Sequence, residues 1–374
     1  MIGWEDIYKV IEAMAPLYVA LILGYGSVKW WKIFTPEQCE AVNSLVCFFT
    51  LPFFTFDFTS HANPFKMNYI FIAADAISKA LILLVLGFWV KFSKKGSFTW
   101  FITSFSLCTM TNSLVLGVPL MKAMFGEIGI NLIVQGSVVQ FTIWQSLLLF
   151  LLEIRRAKLD VVVASGNNEA MEGGLGNNEG LEGSLGNNED LEGNLGSNND
   201  GDSGSGGRGG FWSLMKVVLV KVAMNPNSFS CFLGILWAFI ANRWHLKMPS
   251  ILEGSVLIMS KAGTGTAMFS MGIFMALQEK VIACGTGLTI IGMVLRFIAG
   301  PVAMAIGSIV VGLRGDVLRI AIIQAALPQA ITSFIYAKEY GLHAQVLSTA
   351  VIFGMIASLP VLIAYYAILE CVPN

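Results

Sequence analysis

Charge is scarce in this chain: Asp, Glu, Lys and Arg make up 13% of its 374 residues, with a net charge of −1. Two or three soluble domains of that length would need far more charged surface, so a water-exposed multidomain protein is excluded. Histidine is scarcer still. The three present (His61, His245, His343) fit neither an HExxH pattern nor a catalytic triad. Six cysteines are scattered without a CxxC pair, which argues against a disulfide framework or metal site and for small buried hydrophobes. The G-T-G-T run at 263–266 lacks the Walker pattern, and its glycines suit close helix packing. No catalytic constellation remains, so the expectation is a protein that is not an enzyme and carries no cofactor.

What is abundant is apolar sequence. Hydrophobic residues form 55% of the chain and mean hydropathy is +0.71. A hydrocarbon core about 30 Å thick takes roughly 20 apolar residues per helix. Windows of that kind lie near 7–26, 38–58, 70–91, 100–120, 129–152, 222–241, 251–277, 282–312, 317–337 and 343–369, ten in all. The first follows the acidic WEDIYKV and precedes no A-x-A-like site, so it reads as a retained span. Lys and Arg concentrate in loops that become cytosolic when both termini face away from the cytosol, and that orientation is expected.

Between residues 160 and 210 the composition turns to Gly, Asn, Glu and Ser in ten-residue repeats, GNNEAMEGGL, GNNEGLEGSL and GNNEDLEGNL. Such units bury too little apolar area to offset ordering, which predicts a flexible acidic linker. The expected division is 1–157, linker 158–210, and 211–374. Five spans on each side mean that the second half enters from the opposite face, the inverted-repeat plan of many carriers. The fold expected is an all-α polytopic membrane protein.

Two spans carry matching interruptions. The fourth has TNSLVLGVP with Asn112 and Pro119, and the ninth has QAALPQAITS with Pro328 and Gln329. Proline removes a backbone hydrogen bond and clashes with the preceding turn, so in lipid a broken helix persists only inside protein or beside a wet cavity. Half-helices that meet there turn positive N-terminal ends and free N–H groups toward the gap, which suits an anion. Asp75 and Lys79, four apart, read as an intrahelical pair at membrane depth. Gln140 and Gln145 read as amides between helices, and Thr55 and Asp57 as candidate cavity residues. For Arg296 the expectation is snorkelling or a backbone carbonyl partner.

The stretches MIGWEDIYKVIEAMAPLYVALILGYGSVKWWKIFTPEQC, HANPFKMNY, TNSLVLGVPL, MNPNSFSCFLGILWAFI, GTAMFSMGIFMALQ and IIQAALPQAITSFIYAKEYGLH resemble the plant PIN-FORMED auxin efflux carriers across both membrane halves. The short central segment resembles that of the short-loop members. This resemblance implies ten transmembrane helices as two inverted five-helix repeats, with the fourth and ninth crossing where they unwind. A scaffold of spans 1, 2, 6 and 7 would support a moving unit of spans 3–5 and 8–10. It further implies a homodimer in the endoplasmic reticulum membrane, loop cytosolic and termini lumenal, with the plasma membrane open as a second location. Transport of indole-3-acetate and related auxins from cytosol to lumen would follow, with no nucleic-acid partner. Asn112 would face the carboxylate and Val115 form apolar wall, with Leu51 and Thr55 contributing from the scaffold. Gln140 and Gln145 would reach in from the fifth span, Gln329 would shape the crossover with Pro119 and Pro328, and Asp75 with Lys79 would form a support site. The chain departs from the family pattern at Thr111 and Ser333, where prolines are common, and at Gln145 and Thr55. A sodium- or proton-coupled symporter using Asp75, and a non-transporting auxin receptor, are the competing readings.

Overall fold

The computed structural model describes residues 4–93, 96–172, 216, 219–220, 223–278, 282 and 284–370. Helix α1 is Trp4–Lys29. A capping box between Thr35 and Gln38 opens α2, Pro36–Leu45, which passes through a π turn at Val46–Thr50 into α3, Leu51–Ser60. Asn68 caps α4, Tyr69–Phe92, and Ser97 caps α5, Phe98–Thr109. A π turn at Ser113–Gly117 leads into α6, Val118–Val139, kinked at Gly126 where φ is 61°. A further π turn, Gln140–Trp144, joins it to α7, Gln145–Glu172. Then follow α8, Pro226–Trp244, and α9, Ser250–Leu277. Next come α10, Thr286–Val294, a π turn at Leu295–Ala299, and α11, Gly300–Val310. The last three are α12, Gly315–Ala325, α13, Ile331–Glu339, and α14, Ala344–Glu370.

Three of the four π turns directly precede a helix with proline at its second position: Pro52, Pro119 and Pro301. The cause is local. A proline ring displaces the carbonyl four residues back and offers no N–H, and widening the preceding turn by one residue accommodates both losses without ending the helix. Pro119 therefore continues a helix, and the interruption expected there falls earlier, at Met110–Asn112. Pro328 does sit inside an interruption, between α12 and α13.

Among the described residues every regular element is helical, apart from one isolated bridge between Thr111 and Gln329. Six helical stretches among the described residues are long and apolar enough to cross a membrane. Helices α8 and α9 fall outside that set, α8 being diluted by Asn and Ser and α9 by Glu253, Lys261, Ser, Thr and Gly. Helix α7 runs on to Glu172, past the expected linker boundary at Lys158. The repeats beyond it, and Cys371, lie outside the described residues.

Small residues set the packing. Helix α1 lies along α9, and a Cβ on Gly24 would sit 2.0 Å from the Phe269 carbonyl oxygen, while one on Gly272 would sit 2.0 Å from that of Leu21. Gly234 of α8 meets Thr59 of α3 in the same way, and Gly263 of α9 meets Phe54 and Thr50. On the other side Gly307 of α11 presses on the Ala74 carbonyl of α4, and Gly300 on that of Cys108. Helices α1, α3, α8 and α9 thus pack together, as do α4 with α11, α12 with α6 and α13 with α14, while α1 also lies against α6. Close backbone approach suits lipid, where no hydrophobic drive pushes helices together and dispersion contact must serve.

Candidate functional site

The two interruptions meet in the middle of the molecule. Asn112 donates its backbone N–H to the Pro328 carbonyl at 2.9 Å, and Ala330 donates to the Met110 carbonyl at 3.1 Å. These bonds satisfy backbone groups that helix breaks would leave bare in lipid. Neither Asn112 nor Ala330, the residues that start the two following helices, caps its helix with a side-chain hydrogen bond. The first N–H groups beyond them are therefore without the partners a capped helix would supply.

Both helix starts line a cavity of about 750 Å³. Ser113, Leu114 and Val115 come from one interruption and Ile331 and Thr332 from the other. Leu51 and Thr55 face them from α3, Met271 and Phe274 from α9, and Asn227 from α8. The apolar wall includes Phe141 and Phe334, with the Phe274 and Phe334 rings 4.6 Å apart between centroids. Exposed Pro36, Glu40, Leu277, Lys338 and Glu339 mark its mouth. Asn112 lines the cavity with a side-chain amide that makes no hydrogen bond to the described residues, and the buried Oδ1 of Asn227 also lacks a partner. One largely apolar chamber thus holds two helix N-termini and two uncommitted amides, and the dipoles of the helix starts favour negative charge there.

The site residues read from the sequence divide into two sets. Asn112, Val115, Leu51, Thr55 and Gln140 line this cavity. Gln140 does so with its amide spent: Oε1 accepts from Thr111 N–H at 3.2 Å and from Thr111 Oγ1 at 2.7 Å, while Nε2 donates to the Thr111 carbonyl at 2.8 Å. Gln145 lies off the cavity and donates to the Tyr336 hydroxyl at 2.8 Å. Gln329 is fully buried behind the crossing, donating to the Ser106 carbonyl and to Ser333 Oγ, so it shapes the break without facing the chamber. Asp57, read as a candidate cavity residue, instead accepts from Ser260 Oγ at 2.6 Å.

Asp75 and Lys79 form a buried pair, Nζ lying 2.7 and 2.8 Å from the two carboxylate oxygens. Trp144 Nε1 donates to the same carboxylate at 2.8 Å, and the ammonium lies over the indole, 5.1 Å from its centroid. The pair lines a separate chamber of about 20 Å³, with Gln324 on its far wall. Thr111 and Gln140 belong to the walls of both chambers and so form the partition. Charge and cavity are neighbours, with no direct contact between the ion pair and the larger space.

Sequence reasoning missed Phe141, Asn227, Phe274, Ile331 and Phe334, which face the cavity from four different elements. Only Asn227 left a trace in the sequence, in the N-P-N run that starts α8. The other four are ordinary apolar residues of helices.

The match to known proteins is extensive. A family model described as membrane transport protein matches residues 9–366. Auxin efflux carrier component 5 of Arabidopsis thaliana is 62% identical, covering 99% of each chain. Probable auxin efflux carrier component 5a of Oryza sativa subsp. japonica is also 62% identical, over the full length of both. Auxin efflux carrier component 8 of Arabidopsis thaliana is 36% identical over 99% of this chain and all of the relative. The chain is a membrane protein built for transport, not for catalysis, and it belongs to the PIN-FORMED auxin efflux carrier family of membrane transport proteins.

Proposed function

We propose that the protein carries indole-3-acetate and related auxins, as anions, from the cytosol to the lumen of the endoplasmic reticulum. The observation that carries this reading is the convergence of two uncapped helix starts and the free amide of Asn112 on one aromatic-lined cavity. An arylacetic acid with an ordinary carboxyl pKa is almost wholly ionised at neutral pH and crosses lipid poorly, so it needs such a route. The ring would lie among Phe141, Phe274 and Phe334, and the carboxylate at the helix starts.

Alternating access would follow from the packing. The group α1, α2–α3, α8 and α9 would stand as the scaffold, and the rest, with the crossing at its centre, would slide past it as an elevator. Ten spans in two inverted repeats, paired as a homodimer, complete the proposed architecture. With the termini lumenal, the mouth at Glu40 and Lys338 faces the cytosol, the side from which the carrier would load. Its relatives' names, as auxin efflux carriers, support the substrate class.

Uptake of labelled indole-3-acetate into liposomes holding the purified protein tests this directly. Saturable uptake that persists without sodium or pH gradients is expected. No uptake above empty liposomes would overturn the carrier reading, and strict dependence on either gradient would establish a symporter in its place.

A further inference from the structure

Arg296 is the largest wholly buried side chain among the described residues and sits in the π turn between α10 and α11. Its guanidinium donates to the Leu107 carbonyl at 2.9 Å and reaches that of Met110 at 3.5 Å, both at the C-terminal end of α5. The other nitrogen donates to the Ala325 carbonyl, the last residue of α12. One cation therefore ties together the C-terminal ends of both half-helices at the crossing. Among the described residues it forms no ion pair, and its Nε is buried without a partner.

Four helix ends converge at this crossing. Two N-terminal ends turn partial positive charge toward the cavity, and two C-terminal ends lie three and five residues behind them along the chain, with partial negative charge that would offset it. The C-terminal pair is the part Arg296 touches. Its Met110 partner carbonyl is the one that accepts from Ala330, a cavity-lining residue, and it precedes Thr111 in the cavity wall. The local charge count agrees, since Asp75 is matched by Lys79 and leaves the guanidinium in excess. An arginine stays protonated even when buried, so this surplus is permanent.

We propose that Arg296 is the positioning residue that makes the cavity selective for anions: it cancels the negative helix ends and leaves the positive ones to act on the carried carboxylate, without touching it. This deepens the carrier reading and rests on it. The distinguishing property is discrimination by charge. A residue that only holds the helices together would, when changed, weaken charged and neutral ligands of one shape alike. Loss of the counter-charge would weaken the charged ligand alone.

The test is binding of indole-3-acetate and of its neutral amide, indole-3-acetamide, to the purified full-length protein, for the native sequence, Arg296→Lys and Arg296→Met, with thermal melting as the check on folding. The native protein is expected to prefer the acid. Arg296→Met should weaken the acid at least tenfold and the amide less than twofold, while Arg296→Lys, which keeps the charge, should retain most of the preference. Equal weakening of acid and amide in Arg296→Met would overturn the proposal, as would an undiminished preference for the acid. If Arg296→Met does not fold, Arg296→Lys decides: a folded lysine variant that no longer distinguishes acid from amide overturns the proposal, and one that does supports it. Failure of the native protein to bind the acid at all would instead defeat the carrier reading beneath it.

Discussion

At the scale of single residues the site depends on which amides are spent and which are free. Asn112 is free; Gln140, Gln145 and Gln329 are committed to Thr111, Tyr336 and Ser333. Asn112→Ala should therefore lower indole-3-acetate uptake by about tenfold, the scale of one lost hydrogen bond to a charged group, and leave thermal melting unchanged. Uptake at the native rate would displace the proposed carboxylate site. Thr111→Pro, which installs the residue common in the family, should do the reverse and act on stability. Proline brings neither the N–H nor the hydroxyl that Gln140 Oε1 accepts, and a buried acceptor left bare costs about 1–3 kcal/mol. A melting temperature at or above the native value would show that the Thr111–Gln140 partition is dispensable. The pairing of Asp75 with Lys79 was legible from spacing alone, because an intrahelical pair is local in sequence. For Arg296 a backbone carbonyl partner was one of two expectations and is what the structure supplies, but which carbonyls was not legible, since Leu107 and Ala325 lie 189 and 29 residues away.

Among elements, prolines and glycines carry the information, but they do so differently from the expectation. Proline was read as a break at Pro119 and Pro328. The structure separates the two: Pro119 falls one turn inside a helix and is absorbed by a π turn, whereas Pro328 lies between two helix ends. What interrupts the first helix is Met110–Asn112, held open by backbone bonds to Pro328 and Ala330. Those partners come from the other half of the chain, so periodicity within one segment could not locate the break. Glycine was more direct in part: of the two glycines in the G-T-G-T run, Gly263 makes the close contact its small size suggested and Gly265 meets no neighbour, while Gly272, beyond the run, packs closest of all three. Gly272→Ala places a methyl 2.0 Å from the Leu21 carbonyl and 2.7 Å from the Tyr25 nitrogen, both backbone atoms with little freedom to yield. The variant should lose about 1–3 kcal/mol and separate α1 from α9, visible as a lower melting temperature in detergent. Unchanged melting would mean that these helices pack less closely.

Over the whole molecule the apolar runs predicted the membrane class and most helix positions, since burial in lipid demands length and hydropathy that few other folds need. The cavity was only half legible. Its polar floor was marked by the interrupted segments, but its aromatic wall comes from α9 and α13 and from the π turn before α7, elements whose apolar residues look alike until the fold brings them together. The separate Asp75–Lys79 chamber leads to a further expectation for the transport cycle. The pair lies behind the partition, so Asp75→Asn should slow turnover in the uptake assay more than it raises the apparent KM. A raised KM with native turnover would put the carboxylate pair in contact with the ligand.

The central claim is that helix starts and a free amide at the crossing hold an organic carboxylate. An experimental structure of the protein with indole-3-acetate bound tests it most directly. The account predicts carboxylate oxygens about 2.7–3.1 Å from the Asn112 side-chain nitrogen and from N–H groups that begin the helices after Asn112 and Ala330, with the indole ring beside Phe334. A carboxylate seated on Lys79, or a ring-first pose with the acid at the Glu40–Lys338 mouth, would contradict it.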